Sequence, residues 1–282
     1  MTVCIAVLPC FTDKIVLVSD QLLSSDSVSV DGAMKVTTIC PGSEWYVMFA
    51  GDPSRFQLLV DRVRLLLGDV RNVRLTVGTV MTAFEQAYAL ELRRVIEGEI
   101  LLPYGLDRDE FIARGRELLG DHFYQLMEQI SGATLGVELI VAGLNADAQT
   151  KLFSMSARGV VLPASLPYHA IGCGAFAALG ALYQVPYFPT PDLTETVYRA
   201  CAAKFAAESV PGVGESTYAL IIAPLSGLWT LVTNVDEVRK LWRTKGQPPI
   251  PSAARRLIER DLRRIEPRRT IRGRKALDKE GS

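Results

Sequence analysis

The chain has 282 residues, 49% of them apolar, enough for a sizeable core in one large or two small domains. Lys plus Arg and Asp plus Glu each number 31, and charged residues are 22% of the total, which excludes a wholly basic nucleic-acid binder and a chain disordered over most of its length. No apolar run reaches the ~18 residues that span a bilayer. MTVCIAVLPC lacks the basic start and small-residue cleavage site of a signal peptide, so the expectation is a cytoplasmic protein with no membrane contact.

Taken in chain order, the apolar, β-branched runs at 3–8 and 15–19 predict a strand hairpin turning near Phe11. A looser alternation covers 28–38, and 45–50 reads as a strand closed by Gly51-Asp52-Pro53. Helical spacing follows at 55–67, where Leu58, Leu59, Val63, Leu66 and Leu67 recur, and again over 77–101. A helical extension at about 102–133 carries two pieces, 108–119 and 122–130. Strands return at 137–144, 152–155 and 159–162. The turn Gly172-Cys173-Gly174 opens an Ala-rich helix to Tyr183, and a further helix runs over 194–208 with Thr194 as its cap and a Leu193–Tyr198 staple. Strands at 218–223 and 229–233 precede a last helix after Asn234.

Charge divides the chain. Residues 240–282 hold 14 Lys and Arg against 5 Asp and Glu, leaving 17 against 26 before them. The KGQPP stretch at 245–249 breaks any helix, so a body at 1–240 and a basic tail at 241–282 are expected. Within the tail, 252–267 reads as a short basic helix followed by disorder. A solvated tail or an arm on a neighbouring subunit is preferred over a nucleic-acid contact. Strands and helices arriving in blocks argue against a doubly wound parallel sheet and for a four-layer α/β/β/α sandwich of two antiparallel sheets. Burial of both faces of each sheet suits the continuous apolar strands.

Cys4, Cys10, Cys40, Cys173 and Cys201 form no CxxC pair and read as reduced thiols, mostly buried. With His122 and His169 the only histidines, no metal or cofactor is expected. There is no GxxxxGK[ST], so no ATP is bound through a P-loop.

The candidate chemistry starts at Thr2. Loss of Met1 would give one residue both a hydroxyl and an α-amine, and an α-amine, with a reference pKa of about 7.7–8.0, can take the hydroxyl's proton near neutral pH. In the predicted hairpin, positions summing to about 22 lie opposite each other, which brings Asp20 beside Thr2. Lys35, in an otherwise apolar or small segment, is either an edge lysine or the partner of a buried acid. Paired with Asp20, it would favour the ionised Thr2 hydroxyl. Gly51, at a strand–helix junction, is free to aim a backbone N–H at an oxyanion, though Gly-Asp there is also ordinary cap chemistry.

Thr2, VSD at 18–20, MKV at 34–36 and MFAGD at 48–52 together resemble the proteasome β-subunit pattern. ELIVAGLN, HAIGCGAFAALGALY and STYALIIA continue the resemblance to about residue 235. It implies an N-terminal-nucleophile hydrolase, similar to the simpler bacterial proteasome-like branch that includes Anbu and the bacterial proteasome homologue. Thr2 would be the nucleophile, Asp20 and Lys35 its charged neighbours and Gly51 the oxyanion donor. Ala33, Phe49 and Ala50 would bind substrate. The family also implies homo-oligomeric stacked rings, polypeptide substrates and, where unfolding is needed, a separate ATPase. Three positions depart from the pattern, and one of them is Gly212, which stands where the family has a serine three residues after an aspartate. Cys173 stands where the family has a serine, and Ser209 stands where it has an aspartate near the threonine amine, with Glu208 or Glu215 as candidate substitutes. These departures leave open a catalytically inactive ring acting as scaffold or binding compartment. A Cys173–His169 nucleophile pair is a further alternative.

Overall fold

The computed structural model describes residues 2–9, 13–24, 29–30, 32–69, 74–161, 166–184 and 193–246. Contacts divide the chain into two units, Met1–Arg239 and Lys240–Ser282. All the described strands lie in the first unit, and in the second Trp242–Gly246 forms a π-helical turn. The helix expected at 252–267, the hairpin turn at 10–12 and Cys10 lie outside the described residues.

The chain begins with β1 (Cys4–Val7) and β2 (Ile15–Asp20), then a small hairpin of β3 (Leu23–Ser24) and β4 (Ser29–Val30), then β5 (Val36–Thr38) and β6 (Trp45–Gly51). Helices α1 (Pro53–Leu67) and α2 (Val77–Val95) follow. A π-helical turn at Ile96–Leu101 leads to α3 (Arg108–Leu119) and α4 (His122–Gly132). Then come β7 (Val137–Leu144), β8 (Thr150–Ser156), β9 (Gly159–Val161) and β10 (Tyr168–Ile171). The helices α5 (Ala175–Tyr183) and α6 (Leu193–Ala207) precede β11 (Thr217–Ala223), β12 (Leu228–Leu231) and α7 (Val235–Leu241).

Two five-stranded antiparallel sheets result, ordered β10-β1-β2-β11-β12 and β5-β6-β7-β8-β9. Strand alternation explains how they are held. In β6, Trp45, Val47 and Phe49 join a cluster with Phe56, Leu59, Val63, Phe84 and Ala87 of α1 and α2. The intervening Met48 and Ala50 join Cys4, Ala6, Ile15, Leu17 and Leu220 of the other sheet. A period of two thus gives one strand two apolar faces, one for the helices and one for the facing sheet. Helix α6 packs on β1 and β2, and α5 on β10.

Several local expectations change. The segment 28–38 is two short strands with Lys35 between them, because Gly32, at φ 96°, breaks the alternation. The helix predicted over 77–101 ends as α-helix at Val95 and continues as a π-turn. Thr194 lies inside the first turn of α6, which starts one residue earlier, so it does not cap it. The extension around α3 and α4 has its own small core of Leu101, Leu106, Phe111 and Leu126, and a reciprocal Asp107–Glu110 cap starts α3.

Gly143 of β7 faces Trp45, which is 1% exposed, and a Cβ there would stand 2.3 Å from the indole ring. Gly143→Ala should therefore lower the unfolding free energy by roughly 1–3 kcal/mol. A chemical-denaturation midpoint equal to that of the unsubstituted protein would contradict this packing.

Candidate active site

Register sets the first contact. The β1–β2 ladder pairs Cys4 with Ser19 and Val7 with Val16, so paired numbers sum to 23 and not 22. Across the ladder Asp20 therefore faces Val3, and its N–H donates to the Val3 carbonyl at 3.2 Å. Its side chain reaches back. Asp20 Oδ1 accepts the Thr2 hydroxyl and, at 2.9 Å, the Val3 N–H.

Lys35, just before β5, completes the group. Its ammonium donates to Thr2 Oγ1, to Asp20 Oδ1 at 2.9 Å and to the Leu22 carbonyl. Thr2, Asp20 and Lys35 are 4%, 0% and 1% exposed. An isolated charge at such burial would be very costly. Here all three ammonium donors have acceptors, and the second carboxylate oxygen takes the Gly214 N–H at 3.2 Å. The Thr2 hydroxyl thus donates to a carboxylate, which orients it, and accepts from a fixed cation, which favours negative charge on its oxygen.

The other end of Thr2 is held by the turn before α5. Gly174 N–H donates to the Thr2 carbonyl at 3.3 Å, and the Cys173 thiol to the same oxygen at 3.4 Å. Gly172 has φ 87°, and a Cβ on it would lie 2.3 Å from that carbonyl, so the close approach requires glycine. Its N–H donates to Glu138 at 2.8 Å. Cys173 thus grips the backbone of Thr2. His169 stands on β10 opposite Ala6 and does not line the cleft in front of Thr2.

That cleft, of about 680 Å³, is lined by Thr2, Gly51, Glu138, Arg158, Gly172 and Cys173 among others. Gly51 closes β6 at φ 109°, with no room for a side chain against Gly136. Its neighbours show where its N–H points. Asp52 N–H donates to Gly136 on the β7 side, and Phe49 N–H to Lys35 on the β5 side. Alternation aims the Gly51 N–H with that of Phe49, toward the side from which Lys35 reaches Thr2.

The remaining predicted residues separate. Ala50 lines the cleft. Phe49 does not, because its ring falls on the helical face of β6 and stacks on Phe56 at 4.1 Å between centroids. Ala33 donates its N–H to Gln21 at 3.0 Å and is absent from the lining. Ser209 is exposed at the end of α6 and donates to the Ala206 carbonyl at 2.8 Å, so it is not brought to Thr2. Glu208 pairs with Lys204 at 2.6 Å and Arg239 at 3.2 Å. Sequence reasoning missed Glu138 and Arg158. A carboxylate interrupting the apolar run VELIVAGL, directly opposite Ala50, was the available signal for the first.

The arrangement defines a buried hydroxyl clamped between a carboxylate and an ammonium, facing a cleft edged by two antiparallel sheets. The sequence matches no family model and no curated protein. Among solved structures the chain is similar to eukaryotic HslV from Trypanosoma brucei, at 16% identity and a TM-score of 0.48, covering 78% of this chain and 98% of that one. Among the described residues, no helix is long and apolar enough to cross a membrane.

Two outcomes test the site's physics. Lys35→Met strands the buried Asp20 carboxylate and should cost about 3–5 kcal/mol of stability, part of which Asp20→Asn in the same chain restores. An unchanged denaturation midpoint in Lys35→Met would contradict the burial. Separately, burial pushes the Cys4 and Cys201 thiols up to about 12, whereas Cys173 is exposed. Iodoacetamide at about pH 8, near the ordinary thiol pKa, should alkylate Cys173 in the folded protein and leave Cys4 and Cys201 untouched until unfolding, as peptide mapping would read.

Proposed function

We propose that this protein is a proteasome-like N-terminal-nucleophile hydrolase that cleaves peptide bonds, with Thr2 as nucleophile once Met1 is removed. The observation that carries this reading is the closure of Asp20 and Lys35 on the Thr2 hydroxyl beside an open cleft. The four-layer α/β/β/α sandwich belongs to the same reading. It is supported by the apolar cluster between the sheets and by the helices packed on their outer faces.

In the proposed reaction, Thr2 Oγ attacks the peptide carbonyl while its proton passes to the freed α-amine. The Lys35 ammonium offsets the charge forming on Oγ, and Asp20 holds both groups in place. The carbonyl oxygen becomes an oxyanion facing the Gly51 N–H. Loss of one such donor typically costs about 10²–10³ in rate. The C–N bond then breaks, the amine leaves with the proton, and an ester remains on Thr2. Water hydrolyses that ester and returns the hydroxyl.

The same reading makes the substrates polypeptides and the working form a homo-oligomeric ring assembly in the cytoplasm. With no P-loop in the sequence, folded substrates would need a separate ATPase.

Thr2→Ala should reduce turnover of a fluorogenic peptide by at least about 10³-fold with the oligomeric state unchanged, and Thr2→Ser should keep measurable activity. Persistent turnover in Thr2→Ala would overturn the mechanism. Protein that has lost Met1 and still cleaves no peptide would favour the inert ring.

A further inference from the structure

Two lysines are all but inaccessible among the described residues, Lys35 and Lys204. The first belongs to the site. The second has no part in the chemistry above. Lys204 sits in the last turn of α6 with 0% exposure. Its ammonium donates to Glu208 Oε1 at 2.6 Å, to the Gly214 carbonyl at 2.8 Å and to the Glu215 carbonyl at 2.7 Å. All three donors are therefore used, two of them on consecutive carbonyls of the loop between α6 and β11.

That loop touches the catalytic carboxylate. Gly214 N–H is the donor to Asp20 Oδ2, at 3.2 Å, on the oxygen opposite the one that serves Thr2 and Lys35. Position 214 must be glycine. A Cβ there would stand 2.7 Å from the Leu22 side chain. Glycine is also the residue whose backbone swings most freely. A fixed donor is thus required at the least constrained kind of residue, and a cation anchored in a helix pins the carbonyls on its far side. Arg239 reinforces the clamp. Its guanidinium binds Glu208, the Glu215 carbonyl and Thr217 Oγ1, and lies 5.0 Å over the Phe205 ring. Burial holds Lys204 below the ordinary lysine range against the opposing pull of Glu208, so the clamp carries a desolvation cost that an apolar side chain of the same length would avoid.

We propose that Lys204 is a positioning residue for the reaction. Through the Gly214–Glu215 carbonyls it fixes the Gly214 N–H, which holds the Asp20 carboxylate in the orientation that faces Thr2 and Lys35. This rests on the reading of Thr2 as nucleophile, but its geometric half can be tested without it.

The test uses the full chain with Lys204→Met, which keeps length and loses charge, and Lys204→Arg, which keeps charge and changes shape. In a crystal structure of Lys204→Met, the Gly214 N–H should be out of hydrogen-bond reach of Asp20. A retained contact there overturns the proposal, whether or not the protein is active. In solution, the rate of Thr2 acylation by a peptide β-lactone should fall at least tenfold in Lys204→Met with the probe's affinity changed less than twofold, and Lys204→Arg should fall in between. If Lys204→Met does not fold, the intermediate loss in Lys204→Arg, again without a change in affinity, carries the solution arm. In an Asp20→Asn background, Lys204→Met should add less than a twofold loss, because the carboxylate it serves is gone. An equal loss in both backgrounds marks a merely structural lysine and overturns the proposal. Absence of any Thr2 adduct in the unsubstituted protein fails the hydrolase reading instead, and the crystallographic arm still decides the role of Lys204.

Discussion

Everything about the site depends on one buried ion pair. An ammonium and a carboxylate, both withdrawn from water, meet on the hydroxyl of Thr2. Neither charge is tolerable alone at that depth, so each constrains the other and the threonine between them. The pair also ties together three separate parts of the chain: the β1–β2 hairpin, the approach to β5 and the loop before β11. What the fold supplies is a way of bringing these parts to one point while keeping Thr2 at the wall of a cleft.

The two sheets do this through alternation. In β6, successive residues serve different purposes. Phe49 goes to the helices, Ala50 to the facing sheet and the cleft, and Gly51 offers backbone where a side chain would collide with Gly136. On the opposite wall Gly172 permits contact with the Thr2 carbonyl, so hydroxyl and carbonyl are gripped by different elements. A hydroxyl held at both ends would need little reorganisation before the attack proposed for it, which is where much of an enzyme's advantage lies.

The sequence made the Thr2–Asp20–Lys35 group legible because its signals are local. A charge in an apolar segment needs a partner, and a hairpin places its two ends together. The exact register was not legible, since one residue more or less in a turn shifts every pair, and only side-chain reach brought Asp20 back to Thr2. Motif position points Phe49 at substrate but says nothing about which face of a doubly buried strand a residue takes. The family pattern points Ser209 at the Thr2 amine, whereas the chain just after α6 turns its hydroxyl onto the Ala206 carbonyl. Glu138 and Arg158 depend on strands far apart in sequence, and no spacing rule reaches that far. Lys204 has near partners, Glu208 at i,i+4 among them, but the link from Gly214 to Asp20 that gives it a role spans 194 residues. The two-sheet architecture followed from block order, whereas the breaks at Gly32 and Val95 are local backbone events within otherwise regular patterns.

The central claim is that the hydroxyl held by Asp20 and Lys35 is the reacting atom. Intact-mass analysis with fragment mapping after exposure of the full protein to a peptide β-lactone tests it most directly. The expected product is a chain lacking Met1 that carries a single acyl group on the side-chain oxygen of Thr2. A chain that keeps Met1, or a label that settles on Cys173 and leaves Thr2 bare, would contradict it.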